Sequence, residues 1–172
     1  MNIVRAAIIA LVVVWLQVAT LPALGLAGVV PNLALVCVIL LAARLPVTAS
    51  LGLAVAIGAL LDASSGSDYG LRTAFYVLIA LITAVLGQLG SDLDNLSLLA
   101  SLVIGATLMI NLAILANLAF LHISLPLNYI GRHVLVEICL NLIMLVPLKW
   151  AMSRAIGRSA PEYVINPKIR RG

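Results

Sequence analysis

Six stretches of the chain, residues 3–21, 29–43, 47–61, 71–89, 97–121 and 132–152, run almost without charge, each bounded by charged residues, Pro or Gly. Hydrocarbon offers no partner for a backbone N–H or C=O, so a single segment that enters it must be helical. At about 1.5 Å rise per residue, about 20 apolar residues cross the roughly 30 Å core of a bilayer. Six such runs in 172 residues leave little with which to build a water-facing surface. Only 9% of the residues are charged and 64% are hydrophobic, where a soluble domain carries about 25% charged residues. Soluble globular, disordered and DNA-binding classes are thereby excluded. The reading is an all-α integral membrane protein, a bundle of six transmembrane helices, with a basic tail over residues 153–172.

The second and third runs span 15 residues each, short for a full crossing. A re-entrant pair with four full spans is the alternative. Six spans are preferred because Pro22, Gly25 and Gly28 supply a turn that lets the second helix begin near Ala27. Orientation follows from Lys and Arg in short loops and at span ends. Arg5, Arg44, Lys149, Arg154, Arg158, Lys168, Arg170 and Arg171 fall on one side, and Arg72 and Arg132 on the other. Eight against two puts both termini in the cytoplasm, together with the loop that holds Asp92 and Asp94. Arg5 ahead of an apolar run and small residues after it also look like a signal peptide; the run is read as a retained first span. No loop has room for an extramembrane catalytic domain. In the tail, Pro161 and Pro167 disfavour a long helix, and each cationic residue beside the membrane attracts anionic lipid by about 1 kcal/mol. The pI near 9.5 thus reflects topology rather than a nucleic-acid partner, since no basic patch with interleaved aromatics exists. Cys37 and Cys139 lie in apolar runs with no nearby partner for a disulfide or a metal.

Ser50, Ala54, Gly58 and Asp62 recur every four residues on the third helix, a ridge of small side chains that ends in a carboxylate and is widened by Gly52 and Ala56. In lipid such a ridge lets another helix approach closely and gain dispersion contacts. Packing inside the bundle is the first reading and a partner interface the second. Asp62 opens an outward turn rich in Ser and Gly, in which Asp68 suits the N-cap of the fourth helix and Arg72 lies one turn on. A carboxylate at membrane depth needs donors or water. Asp62 is therefore expected to stay ionised and to lock residues 64–68 through backbone N–H groups or Arg72; partner binding comes second, catalysis or proton relay third.

On the sixth helix His133, Glu137 and Asn141 form a polar stripe along the outer half. Ionisable groups inside a membrane face the bundle interior or a cavity and are functional candidates. The plainer reading pairs Glu137 with His133 or Arg132 near the outer interface. Asn111 and Asn117 point to different faces of the fifth helix, so one of them is placed to meet the stripe. No phosphate-binding Gly-Lys-Ser/Thr loop, His-Glu-x-x-His pair or Gly-x-Ser-x-Gly elbow is present. His122 and His133 flank a turn with Pro126 and Gly131 but lack a Cys or acidic cluster to hold a metal. The expectation is a protein that is not an enzyme and takes no cofactor.

The order of features is more telling than any single residue. A first helix leads to Val30-Pro-Asn-Leu-Ala-Leu35, and a short helix ends at Ala43-Arg-Leu-Pro46. A helix of small residues then runs into Gly58-Ala-Leu-Leu-Asp-Ala-Ser-Ser-Gly66, with Gly70-Leu71 shortly after. This resembles the MreD family of rod shape-determining proteins, small integral membrane proteins of the bacterial cell-elongation machinery. Length, span count and basic tail agree over the whole chain; the specific motif occupies residues 31–71. Its partner or structural candidates are Pro31, Asn32, Ser50, Ala54, Gly58, Asp62, Gly66, Gly70 and Arg72, with Glu137 added from the polar stripe. One departure is Asn32, where that family commonly has Asp after the Pro, which removes a charge from the outer mouth of the second helix.

The resemblance implies a multi-pass scaffold of the bacterial cytoplasmic (inner) membrane that supports rod shape and lateral peptidoglycan synthesis. It implies MreC, a single-pass protein with a large periplasmic part, as partner, and the transpeptidase and glycosyltransferase of the elongation complex, directly or through MreC. Self-association stays open. It also implies a fold like the S-component of energy-coupling factor transporters. That relation supplies the alternative function, a substrate-binding membrane subunit for a vitamin, which requires a cavity lined by aromatic and polar residues. Of eight aromatic residues, Trp15, Trp150 and Tyr163 lie near interfaces or in the tail, leaving few to stack on a vitamin ring.

Overall fold

Helix is what the apolar runs form, and their lengths differ from the sequence expectation in an instructive way. The computed structural model describes residues 2–20, 28–65, 70–120, 122 and 127–156. Gly66, Asp68 and most of the basic tail lie outside the described residues. The elements are α1 (Asn2–Trp15), which continues into a π-helical turn (Leu16–Thr20), α2 (Leu33–Ala42), α3 (Val47–Ser65), α4 (Leu71–Gln88), α5 (Leu96–Phe120) and α6 (Leu127–Ile156). Five segments are long and apolar enough to cross a membrane: α1 with its π-helical turn, α3, α4, α5 and α6.

The third run is longer than its 15 apolar residues, because α3 carries on through Asp62 and Ser64 for 19 residues in all. Ser64 turns its hydroxyl back to donate to the Leu60 carbonyl at 2.7 Å, so a polar residue continues the helix without a solvent partner. The second run is shorter. Residues 28–32 are not helical, and α2 has only 10 residues, about 15 Å of rise, or half a bilayer core. Every residue of α2 is buried, because α1, α3, α4, α5 and α6 all pack around it. A helix apolar on all sides needs such an enclosure. At its far end α6 extends through Ile156, with Pro147 inside it and Arg154 in its last turn.

Two contacts fix which helix ends lie together. Arg5 Nη1 donates to the Ala155 carbonyl at 3.2 Å, and Lys149 Nζ donates to the Asp94 carbonyl. Arg44 of the α2–α3 turn lines one cavity with Asp94 and Lys149, so the start of α1, that turn, the α4–α5 loop and the end of α6 share one basic end of the bundle. The opposite end holds the close of α3, the start of α4 and the first half of α6. Ile3, Val4, Ile8, Leu11, Val12 and Trp15 of α1 are exposed, a lipid-facing stripe on a peripheral helix.

Candidate functional site

A helix that begins in the middle of a bundle has first-turn N–H groups that water cannot reach and that side chains must therefore satisfy. At the start of α2, Asn32 is the N-cap, and its Oδ1 accepts from Leu35 N at 3.0 Å. Gln17, carried inward on the π-helical turn after α1, accepts from Leu33 N at 2.8 Å and donates to the Pro31 carbonyl at 3.1 Å. Asn32 N donates to Asn141 Oδ1 at 2.6 Å. The Tyr76 hydroxyl of α4 donates to Asn32 Oδ1 at 2.8 Å.

The network continues across α5 and α6. Asn141 Nδ2 donates to Thr107 Oγ1 at 3.0 Å, and Thr107 Oγ1 donates to the Val103 carbonyl at 2.8 Å. Asn111 Nδ2 donates both to the Thr107 carbonyl at 2.9 Å and to Glu137 Oε2 at 2.8 Å. Asn141, Thr107 and Tyr76 are all but fully buried. Asn111 is thus the asparagine that meets the stripe, through Glu137. Asn32 sits at the inner end of this network, not at the outer mouth of the second helix, because α2 begins only after residue 32. A neutral amide suits that depth, since it caps the helix without burying a charge.

Above the network lies a cavity of about 310 Å³, lined by Gln17, Asn32, Phe75, Tyr76, Arg72, Asn111, His133 and Glu137 among others. Polar, aromatic and charged groups from the π-helical turn, α2, α4, α5 and α6 converge on it, which is what a small-molecule site or a water-filled vestibule requires. Among the described residues no three His, Cys, Asp or Glu side chains come together as a metal site.

The small-residue ridge of α3 faces inward. Ser50, Ala54 and Gly58 are buried, while Gly52 and Ala56 are exposed. A Cβ on Gly58 would run into the Cα of Thr73 and come within 2.9 Å of its Oγ1. The missing side chain is therefore what lets the α3 and α4 backbones touch. One turn further along α3, Asp62 Oδ2 accepts from Thr73 N at 3.1 Å and from Thr73 Oγ1 at 2.7 Å. The N-cap residue of α4 is Gly70, at φ 80° and with no side-chain cap. Asp62 does from the neighbouring helix what the sequence reading assigned to Asp68. It also puts a carboxylate at the positive end of the α4 dipole. Pro31 is buried with its carbonyl held by Gln17, and Arg72 lines the cavity. Gly66 falls outside the described residues.

A family model for the rod shape-determining protein MreD matches residues 2–154, nearly the whole chain. The chain belongs to the MreD family. No curated protein and no solved structure matches it. The MreD family is one of rod shape determination, and five long apolar helices make this member a multi-pass protein of the inner membrane. Sequence reasoning missed Gln17, Thr73, Tyr76 and Thr107. Gln17 alone carried a signal, as the one amide in an otherwise apolar first run; a Tyr or Thr in a membrane helix is too common to stand out.

Proposed function

We propose that this MreD-family chain is a non-enzymatic membrane scaffold of the bacterial elongation complex that binds MreC and, through it, helps organise the transpeptidase and glycosyltransferase of lateral wall synthesis. The observation that carries this reading is the family match over residues 2–154. The built polar interior supports it. Gln17, Asn32, Tyr76, Thr107, Asn111, Glu137 and Asn141 spend most of their hydrogen bonds on one another and on helix ends. Such bonds hold five elements in one arrangement, as a scaffold needs. In this reading both termini are cytoplasmic, following the eight-to-two distribution of Lys and Arg. The end of the bundle with Asp62 and the start of α4 then faces the periplasm, where the large part of MreC lies.

The test is recovery of MreC with the tagged full-length chain from detergent-solubilised membranes of its own cell. Stoichiometric MreC supports the scaffold, and none at normal membrane abundance removes it. The cavity of about 310 Å³ with Phe75 and Tyr76 in its wall favours a second reading, a vitamin-binding transporter subunit. That reading requires a small molecule to be retained stoichiometrically on purification.

A further inference from the structure

At the basic end of the bundle, away from the polar network, Arg44 occupies the turn between α2 and α3. It is only 6% exposed, and its Nη1 is shut off from solvent with no hydrogen-bond partner among the described residues. A buried guanidinium left in that state is costly, because desolvation is not offset by a paired acceptor. Burial lowers the Arg44 pKa, and the Asp94 charge raises it.

Arg44 lines a second cavity of about 310 Å³ with Asp94, Leu96, Val146, Lys149, Trp150 and Ser153. Lys149 Nζ uses one donor on the Asp94 carbonyl and has two left. Arg154 stacks on the Trp150 ring, 4.1 Å from its centroid. Two cations against one carboxylate give the lining a net positive charge, with Arg154 adding to the field. Leu96, Val146 and Trp150 are exposed and belong to α5 and α6, so an apolar wall rises from the cavity along two membrane-crossing helices. A soluble anion would use the cations and leave that wall bare. An amphiphile uses both.

We propose that this cavity binds the phosphodiester headgroup of an anionic phospholipid, with Arg44 and Lys149 as phosphate donors and the acyl chains along Leu96 and Val146. The site goes beyond the scaffold reading and does not rest on it.

Trp150 is a built-in reporter, because Trp15 is the only other tryptophan. The Trp15→Phe full-length protein is reconstituted in phosphatidylcholine vesicles. They contain a minor fraction of either phosphatidylglycerol or phosphatidylcholine brominated high on one acyl chain. The expected result is that brominated phosphatidylglycerol occupies the quenching site with about tenfold preference over the phosphatidylcholine probe, the equivalent of one to two surface cations. Arg44→Gln should abolish the preference and Lys149→Gln reduce it. Asp94→Asn should raise it, a gain that misfolding does not produce. Equal quenching by the two lipids overturns the proposal. So does loss of the preference on adding inorganic phosphate at constant ionic strength, which would make a free anion the occupant. A preference unchanged in both Arg44→Gln and Lys149→Gln overturns it as well.

Discussion

Thr73 is the residue on which two sequence signals converge. Gly58 brings its backbone against α3, and Asp62 then caps its N–H and hydroxyl from that helix. Gly58→Ala should destabilise the bundle by about 1–3 kcal/mol, the usual cost of overpacking, and Gly58→Leu by more, both read as lowered thermal stability in detergent. Asp62→Leu should cost about 1.5–3 kcal/mol, because it strands two donors that now bond a charged group. Asp62→Asn keeps an acceptor oxygen and should lose less than half as much. If Asp62→Asn and Asp62→Leu are equally damaging, the acceptor geometry is not what matters at this position. The sequence showed that Asp62 needs donors but not which. The reason is that Thr73 lies on the next helix and reaches Asp62 only through the close approach at Gly58.

Among the elements, α2 departs most from what its sequence announces. Its apolar run reads as a short span from residue 29, whereas the helix begins only at Leu33 and is held by Gln17, Asn32, Tyr76 and Asn141. Tyr76→Phe removes one inter-helix bond and should cost about 0.6–1.7 kcal/mol. Asn141→Leu breaks the links to both Asn32 and Thr107 and should cost more. Hydrogen exchange at the first turn of α2 should rise in both variants, with the larger rise in Asn141→Leu; unchanged exchange would mean that the network does not hold the start of the helix. The long helices were legible because twenty apolar residues admit one solution in lipid. The start of α2 was not, since hydropathy cannot tell a residue buried among helices from one facing lipid. The stripe of His133, Glu137 and Asn141 was visible from its spacing alone; the different faces of Asn111 and Asn117 said that one of them meets it, and the Asn111–Glu137 bond picks out which. Gln17 bonds Pro31 and Leu33 at the start of α2, and no pattern within one helix points to such a pairing.

For the whole molecule, the shared basic end ties topology to charge. A reporter fused after Gly172, or inserted between Asp92 and Asn95, should lie in the cytoplasm; a periplasmic signal from either would invert the bundle. The cavity at the opposite end, beside the close of α3 and the start of α4, then opens toward the periplasm. A scaffold and a transporter subunit differ in what the cell loses without them, so cell physiology separates the two. The most direct measurement is the length-to-width ratio of the source bacterium as this chain is depleted. Scaffold function predicts that rods widen and round up while vitamin uptake is unaffected, and that the chain supplied in trans restores them. Cells that stay rod-shaped through depletion while uptake of a vitamin fails would contradict it.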